Sequence, residues 1–167
     1  MKTQLLILTI TFLALSNSEA QITFQKTYGG SSYEVLGAAQ PTVDGGAILA
    51  GMSASYGGSD DIYLVKTDGD GTLQWAKIYG GNDNDFSECV QQTSDGGYIV
   101  GGDSYNPNLY TIDAYLIRMD SDGNLVWYRK FGGSGDDYIY SVKQTNDGGF
   151  IAAGSYNTGA HSVDQTR

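Results

Sequence analysis

Short apolar and aromatic runs alternate along this chain with clusters of Gly and Asp. The runs Ile62–Thr67, Leu73–Tyr79, Phe86–Gln92, Tyr98–Gly102 and Ala114–Met119 are rich in Ile, Val and Tyr and are closed at both ends by turn residues. Runs of this length and composition predict strands rather than helices. Ala47–Gly51 and Phe150–Gly154 read the same way. Between them, Thr42-Val-Asp44-Gly-Gly, Thr93-Ser-Asp95-Gly-Gly and Thr145-Asn-Asp147-Gly-Gly predict tight hairpin turns, with glycine supplying positive φ. Asp68-Gly-Asp-Gly71 and Asp120-Ser-Asp-Gly123 predict a second set of turns.

These elements repeat in phase. Phe24-Gln-Lys-Thr-Tyr-Gly-Gly30 returns as Trp75-Ala-Lys-Ile-Tyr-Gly-Gly81 and as Trp127-Tyr-Arg-Lys-Phe-Gly-Gly133. The interval is 51 residues from Gly30 to Gly81 and 52 from Gly81 to Gly133. Asp44, Asp95 and Asp147 keep the same phase, as do Gly51, Gly102 and Gly154. Asp61-Ile-Tyr-Leu-Val-Lys66 matches Asp113-Ala-Tyr-Leu-Ile-Arg118. Three copies result, roughly 21–71, 72–123 and 124–167, each with four expected strands except the last, which lacks its fourth. Four strands in about 50 residues is the arithmetic of a propeller blade. The expected fold is all-β, with about three four-stranded blades in an incomplete ring: an open arc, a fragment, or a ring closed by oligomerisation through open sheet edges. Asp164 aligns with the start of a fourth strand, so a longer parent chain is the favoured expectation.

The first twenty residues differ from the rest. Lys2, the apolar run Leu5–Leu15 and Ser18-Glu-Ala20 have the layout of a secretory signal peptide. The run is short for a membrane span, and no later run is longer. Residues 21–167 are then the repeat region, expected to be secreted or displayed at a cell surface. The formal net charge is −10, which disfavours nucleic acid and anionic lipid. With Cys89 alone, no intrachain disulfide is expected. Cys89 shares its repeat position with Ala38 and Ser141, which marks a crowded structural site.

Candidate chemistry is sparse. Asp68, Asp70, Asp120 and Asp122 offer oxygen ligands at alternate positions, as a calcium loop would, but the sixth and twelfth positions from Asp120 hold Leu125 and Phe131. A solvent-exposed turn is the favoured reading. The pairs Asp60/Asp61, Asp83/Asp85 and Asp136/Asp137 have the residue types of glycoside hydrolysis. Glu34, Asp85 and Asp137 recur at one repeat position, which points to blade structure instead. His161 stands apart from any nucleophile. Tyr56, Tyr105, Tyr110 and Tyr156, expected in the loops between third and fourth strands, are candidate contact residues for a protein or glycan.

The aromatic-Gly-Gly, the Asp-Gly-Gly-aromatic strand, and the segments Tyr63–Trp75 and Tyr115–Trp127 together resemble secreted bacterial β-propeller repeat proteins of the quinoprotein-like type, over essentially all of Phe24–Asp164. The resemblance implies that Trp75 and Trp127 dock between neighbouring blades. Some proteins of this kind are labelled endoglucanases, yet no catalytic signature carries over, and the adjacent cysteine pair of quinone-dependent dehydrogenases is not present. Phe24, Trp75, Trp127, Gly30, Gly81, Gly133, Asp44, Asp95 and Asp147 are therefore expected to be structural. The expected function is a non-catalytic extracellular scaffold or recognition module within a larger protein. The alternative is a fragment of a secreted carbohydrate-active enzyme whose catalytic residues lie elsewhere.

Overall fold

The computed structural model describes residues 25–56 and 58–157. The opening segment, Phe24, His161 and Asp164 lie outside them. The described chain is all-β: ten antiparallel strands and no helix. Strands β1 (Glu34–Pro41), β2 (Ala47–Ser53), β3 (Asp61–Thr67) and β4 (Leu73–Tyr79) form one sheet in that order. Strands β5 (Asp85–Gln92), β6 (Tyr98–Asn106), β7 (Thr111–Met119) and β8 (Leu125–Phe131) form a second. A third holds β9 (Tyr138–Gln144) and β10 (Phe150–Ser155). The aromatic-Gly-Gly segment that opens a sequence copy thus becomes the outermost strand of the preceding sheet.

The turns form for the reasons their residues predict. Gly45, Gly96 and Gly148 have φ of 82°, 86° and 86°, conformations costly for a residue with a Cβ. Thr42 Oγ1 donates to Asp44 Oδ1 (2.5 Å) and Gly46 N–H donates to the same oxygen (3.2 Å), which ties the turn shut. Thr93–Asp95–Gly97 and Thr145–Asp147–Gly149 repeat the arrangement. Each leading strand carries a bulge at one repeat position: Gly37 in β1, Glu88 in β5 and Tyr140 in β9. The bulge pushes the backbone onto Gly51, Gly102 and Gly154, where an added Cβ would meet a carbonyl oxygen at 2.0, 1.9 and 1.7 Å. That close approach accounts for a glycine at this position in every copy.

Successive sheets pack face to face with their leading strands together. β1 and β2 lie against β5, and β5 and β6 against β9. The outer strands β4 and β8 diverge. The apolar filling between the first two sheets includes Ile48, Ile62 and Leu64 from one side and Tyr98, Tyr115 and Ile117 from the other. Ile99, Leu116, Ile139 and Val142 fill the next interface. Trp75 meets Tyr98 edge-on at 5.7 Å, and Trp127 meets Phe150 likewise at 5.8 Å. The two tryptophans therefore sit in matching surroundings, each reaching from one sheet to the next.

Polar clasps recur beside this apolar filling. Gln40 Oε1 accepts the N–H of Gln92 (2.8 Å), and Gln92 Oε1 accepts the N–H of Val43 (2.9 Å). Gln91, Gln144 and Ser94 repeat the exchange between the second and third sheets. Asp85 N–H donates to Asp60 O, and Asp137 N–H to Ile112 O, both at 2.7 Å. Tyr79 donates its hydroxyl to Gly123 O, and Tyr28 donates to Gly71 O at the equivalent place ahead of the first sheet. The segment containing Tyr28 thus covers part of the leading face of sheet one, where Tyr63 and Val65 are buried.

The isoleucine after Asp-Gly-Gly-x separates packing from sequence. Ile99 is 0% exposed and Ile151, at the same repeat position, is 62% exposed. Ile99→Ala is expected to destabilise by about 2–5 kcal/mol, and Ile151→Ala by under about 0.5 kcal/mol. Urea denaturation of both variants checks this.

Candidate functional site

Most of the conspicuous residues hold the fold together. Lys66 and Arg118 are buried cations at one repeat position of β3 and β7, 3% and 7% exposed. Burying an unpaired charge is costly, so each must find acceptors. Lys66 Nζ donates to both carboxylate oxygens of Asp44 (2.8 and 3.1 Å) and to Thr67 O (2.7 Å). Arg118 Nη2 donates to both oxygens of Asp95 (2.7 and 2.6 Å), while Nη1 donates to the carbonyls of Tyr98 and Met119. The turns at Asp44 and Asp95 are therefore each pinned to the third strand of their own sheet. The Lys66 bond holds the Asp44 carboxyl well below its usual range, and the Thr93 hydroxyl does the same for Asp95. Asp147 is lowered by Thr145, and no described cation reaches it.

The expected calcium positions are turn caps. Asp68 Oδ1 accepts the N–H groups of Asp70 (3.0 Å) and Thr72 (2.7 Å). Asp120 Oδ1 accepts those of Asp122 (3.0 Å) and Asn124 (2.7 Å), and Asp120 Oδ2 accepts the Asn124 amide. Among the described residues no cluster of three His, Cys, Asp or Glu is placed to hold a metal. Cys89 is half-buried, donates to Gly101 O (3.6 Å), and has its thiol pKa raised by burial, which suits packing rather than nucleophilic attack. Of the candidate contact tyrosines, Tyr56, Tyr110 and Tyr156 are exposed. Tyr105 instead extends β6 and is partly buried.

Of the acids at the fourth position after Gly-Gly, Asp85 and Asp137 are buried where sheets meet and Glu34 is half-buried. Glu34 is satisfied by Ser53, Ser55 and the N–H of Gly30. Asp85 is one methylene shorter and 2% exposed; its Oδ1 makes no hydrogen bond and faces the Lys130 ammonium at 3.8 Å. Burial raises its pKa. It lines a cleft of about 360 Å³ between the end of β4 and the β7–β8 pair, with Tyr79, Asp83, Tyr115, Tyr128 and Lys130. Tyr128 meets Tyr115 edge-on at 5.8 Å. Lys130 Nζ lies 5.0 Å from the centre of the Tyr115 ring and donates to Ser104 Oγ. Burial pushes Tyr79 and Tyr115 up to about 12.

This cleft brings together Asp83 and Asp85 from the acids expected in pairs, but it leaves Asp60, Asp136 and Asp137 elsewhere. Asp60 accepts Tyr33, and Asp136 accepts the N–H of Ile112. Tyr128 and Lys130 escape a reading guided by repetition, because they are where the repeat fails. Ala76 and Ile78 hold the same positions one copy earlier, and Gln25 and Thr27 another copy before that. Departure from the repeat is the signal that finds them. Compared with models of known protein families and with curated proteins, the chain matches none.

Chemically the cleft offers two carboxylates, an ammonium and the ring edges and faces of three tyrosines. Its cationic place is taken by Lys130 over Tyr115, so a second ammonium would meet like charge. Anions would meet Asp83 and Asp85. A neutral molecule with hydroxyl groups can donate to Asp85 and Asp83 and accept from Lys130.

Asp103, 6% exposed on β6, is raised to about 6 by burial, with Glu88 and Asp85 adding repulsion. The folded form then binds more protons than the unfolded form between about pH 4 and 6. Stability is therefore expected to rise as pH falls from 7 towards 4.5, by about 2 kcal/mol from this group. Asp44 and Asp95, held low, act oppositely, and their contribution is lost only as pH drops further below about 4. Thermal melting of Asp103→Asn across pH 4.5–7 should show a smaller rise than the parent; an unchanged rise would contradict the assignment.

Proposed function

We propose that this chain is a non-catalytic extracellular recognition module of the β-propeller type, and that it takes a neutral, hydroxyl-rich ligand such as a glycan in the cleft beside Asp85. The cleft carries the reading. Among the described residues it alone of the inter-sheet sites combines a buried carboxylate oxygen without a hydrogen bond, an exposed aromatic side chain and a lysine that the other copies lack. Small-molecule sites characteristically combine apolar walls with a few placed polar groups, and buried acids with raised pKa mark functional candidates. The propeller assignment draws support from the fan of sheets, the shared leading strands and the tryptophans that bridge sheets at one repeat position. The extracellular assignment draws support from the leader-like residues 1–20 and from the acidic, turn-rich composition.

The scaffold part of the reading rests on how the acids are used. Asp44 and Asp95 neutralise buried cations, Asp68 and Asp120 close turns, and Glu34 bonds two serines and a backbone amide. A carboxylate that already accepts several bonds is poorly placed to act as acid or base.

Titration of the full chain with soluble neutral oligosaccharides, followed by tyrosine and tryptophan fluorescence, tests the proposal. Saturable binding that Tyr128→Ala weakens about tenfold is expected. Binding indifferent to Tyr128 and to Asp85→Asn would move the site elsewhere. Robust hydrolysis of soluble cellulose by the purified chain would overturn the non-catalytic reading.

A further inference from the structure

The cleft beside Asp85 has a second carboxylate at its back. Asp61 opens β3 and Asp85 opens β5, and both are buried, at 4% and 2% exposed. Gly80 lies between them: a Cβ added there would meet Asp61 Oδ1 at 2.1 Å and Asp85 Oδ2 at 2.9 Å. The two carboxylates therefore converge on one glycine where sheets one and two meet. At Gly29 and Gly132, the same repeat position, the nearest atoms belong to one carboxylate each, Glu34 and Asp113. Asp85 is thus divided. Its Oδ2 turns to the Asp61 side, and its Oδ1, without a hydrogen bond, faces the Lys130 ammonium at 3.8 Å on the cleft side.

The groups around this pair are mostly acids and phenols. Asp61 accepts the Ser59 hydroxyl (3.2 Å) and has Asp60 beside it. Asp83, just ahead of β5, and Tyr79 of β4 stand on the cleft wall. Asp103 of β6 and Tyr115 of β7 are raised in part by the Asp85 charge. Lys130 of β8 supplies the opposing positive charge and also donates to Ser104. Glu34 of β1 is taken up by Ser53 and Ser55, Asp137 ahead of β9 by the N–H of Asn157, and Lys143 of β9 lies towards Cys89. Two buried carboxylates that face one point resist ionising together, so a proton stays on the pair to higher pH than on an exposed aspartate. Burial raises both, and Asp61 adds to the rise at Asp85.

We propose that the Asp61–Asp85 pair is a proton-operated latch on the cleft: ionised Asp85 accepts a hydroxyl of the ligand, and uptake of one proton by the pair releases the ligand as the surroundings acidify. The proposal rests on the reading of the cleft as the ligand site. A carboxylate accepts a hydroxyl strongly, whereas a protonated carboxyl loses that charge-assisted bond. Affinity is therefore full where the pair is ionised and falls as pH drops through its titration, and bound ligand in turn makes the pair harder to protonate. Asp61 lies behind Gly80 and off the cleft wall, so it sets the pH of release without touching the ligand.

Maltohexaose and cellohexaose are the probes, titrated onto the full chain between pH 7.5 and 4.5 and followed by fluorescence, with near-UV circular dichroism reporting that the chain stays folded. Affinity should be level near neutrality and fall by about tenfold per pH unit once the pair is protonated. Asp61→Asn should bind like the parent at pH 7.5 and about threefold or more tightly than the parent at pH 5. Tyr128→Ala should bind more weakly at every pH with the parent's slope. Carboxyl ¹³C resonances of the unliganded parent, which need no variant, should show Asp61 and Asp85 titrating in linked steps, with Asp85 above the ordinary aspartate midpoint of about 4. Affinity that ignores pH, an Asp61→Asn profile identical to the parent's, or an Asp85 carboxyl that titrates in one step near 4 overturns the latch and leaves the binding site standing. Absence of binding at every pH overturns the site and the latch together.

Discussion

The isoleucine two places after each Asp-Gly-Gly is buried where another sheet follows and bare where, among the described residues, none does. Ile48 and Ile99 are fully enclosed, whereas Ile151 lies open. β2 and β6 pair on both sides, whereas among the described residues β10 pairs with β9 alone, so Ile151 has neither a covering sheet nor a second neighbouring strand. Burying such a side chain stabilises by about 1.5–3 kcal/mol, and several line each interface. A single twisted sheet has no interior of its own. Contact with the next sheet is the constraint on which the rest of this structure depends, and the tryptophans, glutamine clasps and bulge glycines all serve it.

Pinning the turns is the second layer of the same design. A lysine or arginine near the end of a buried strand is costly unless its charge is met. Here the Asp of the preceding turn meets it, and that Asp is in turn oriented by a threonine hydroxyl and a glycine amide. The carboxylates stay partly exposed, so the ion pair stabilises modestly while fixing which turn lies over which strand. The groups that look most reactive in the sequence are thereby committed to geometry. The cleft lies where copy three departs from its siblings, at Tyr128 and Lys130, and it is there that the proposed recognition is placed.

Much of the fold is legible in the amino-acid sequence, because its local signals agree. The strand Leu73–Tyr79 and the glycine turns appear as the pattern predicts, and Trp75 and Trp127 bridge sheets. The grouping of strands into sheets is less legible: a periodic sequence has no marked beginning, and only hydrogen bonding decides that Leu73–Tyr79 closes the sheet behind it. β6 runs on to Asn106, past the glycine where the sequence pattern stops, since its long partner β7 extends the ladder and draws in Tyr105. The glutamine clasps are invisible beforehand, because Gln40 and Gln92 lie far apart in sequence and neither is distinctive by itself. The cleft is hidden for the opposite reason, as its residues break the repeat that guides the eye.

Native-state hydrogen exchange measured amide by amide tests the central claim most directly. If coverage of the faces governs stability, β6 and β7 exchange slowest, β2 and β3 follow, and β4, β8 and β10 exchange fastest although they too belong to ladders. Equal protection of β4 and β8 with β6 and β7 would show that hydrogen bonding within each sheet, and not packing between sheets, holds this protein together.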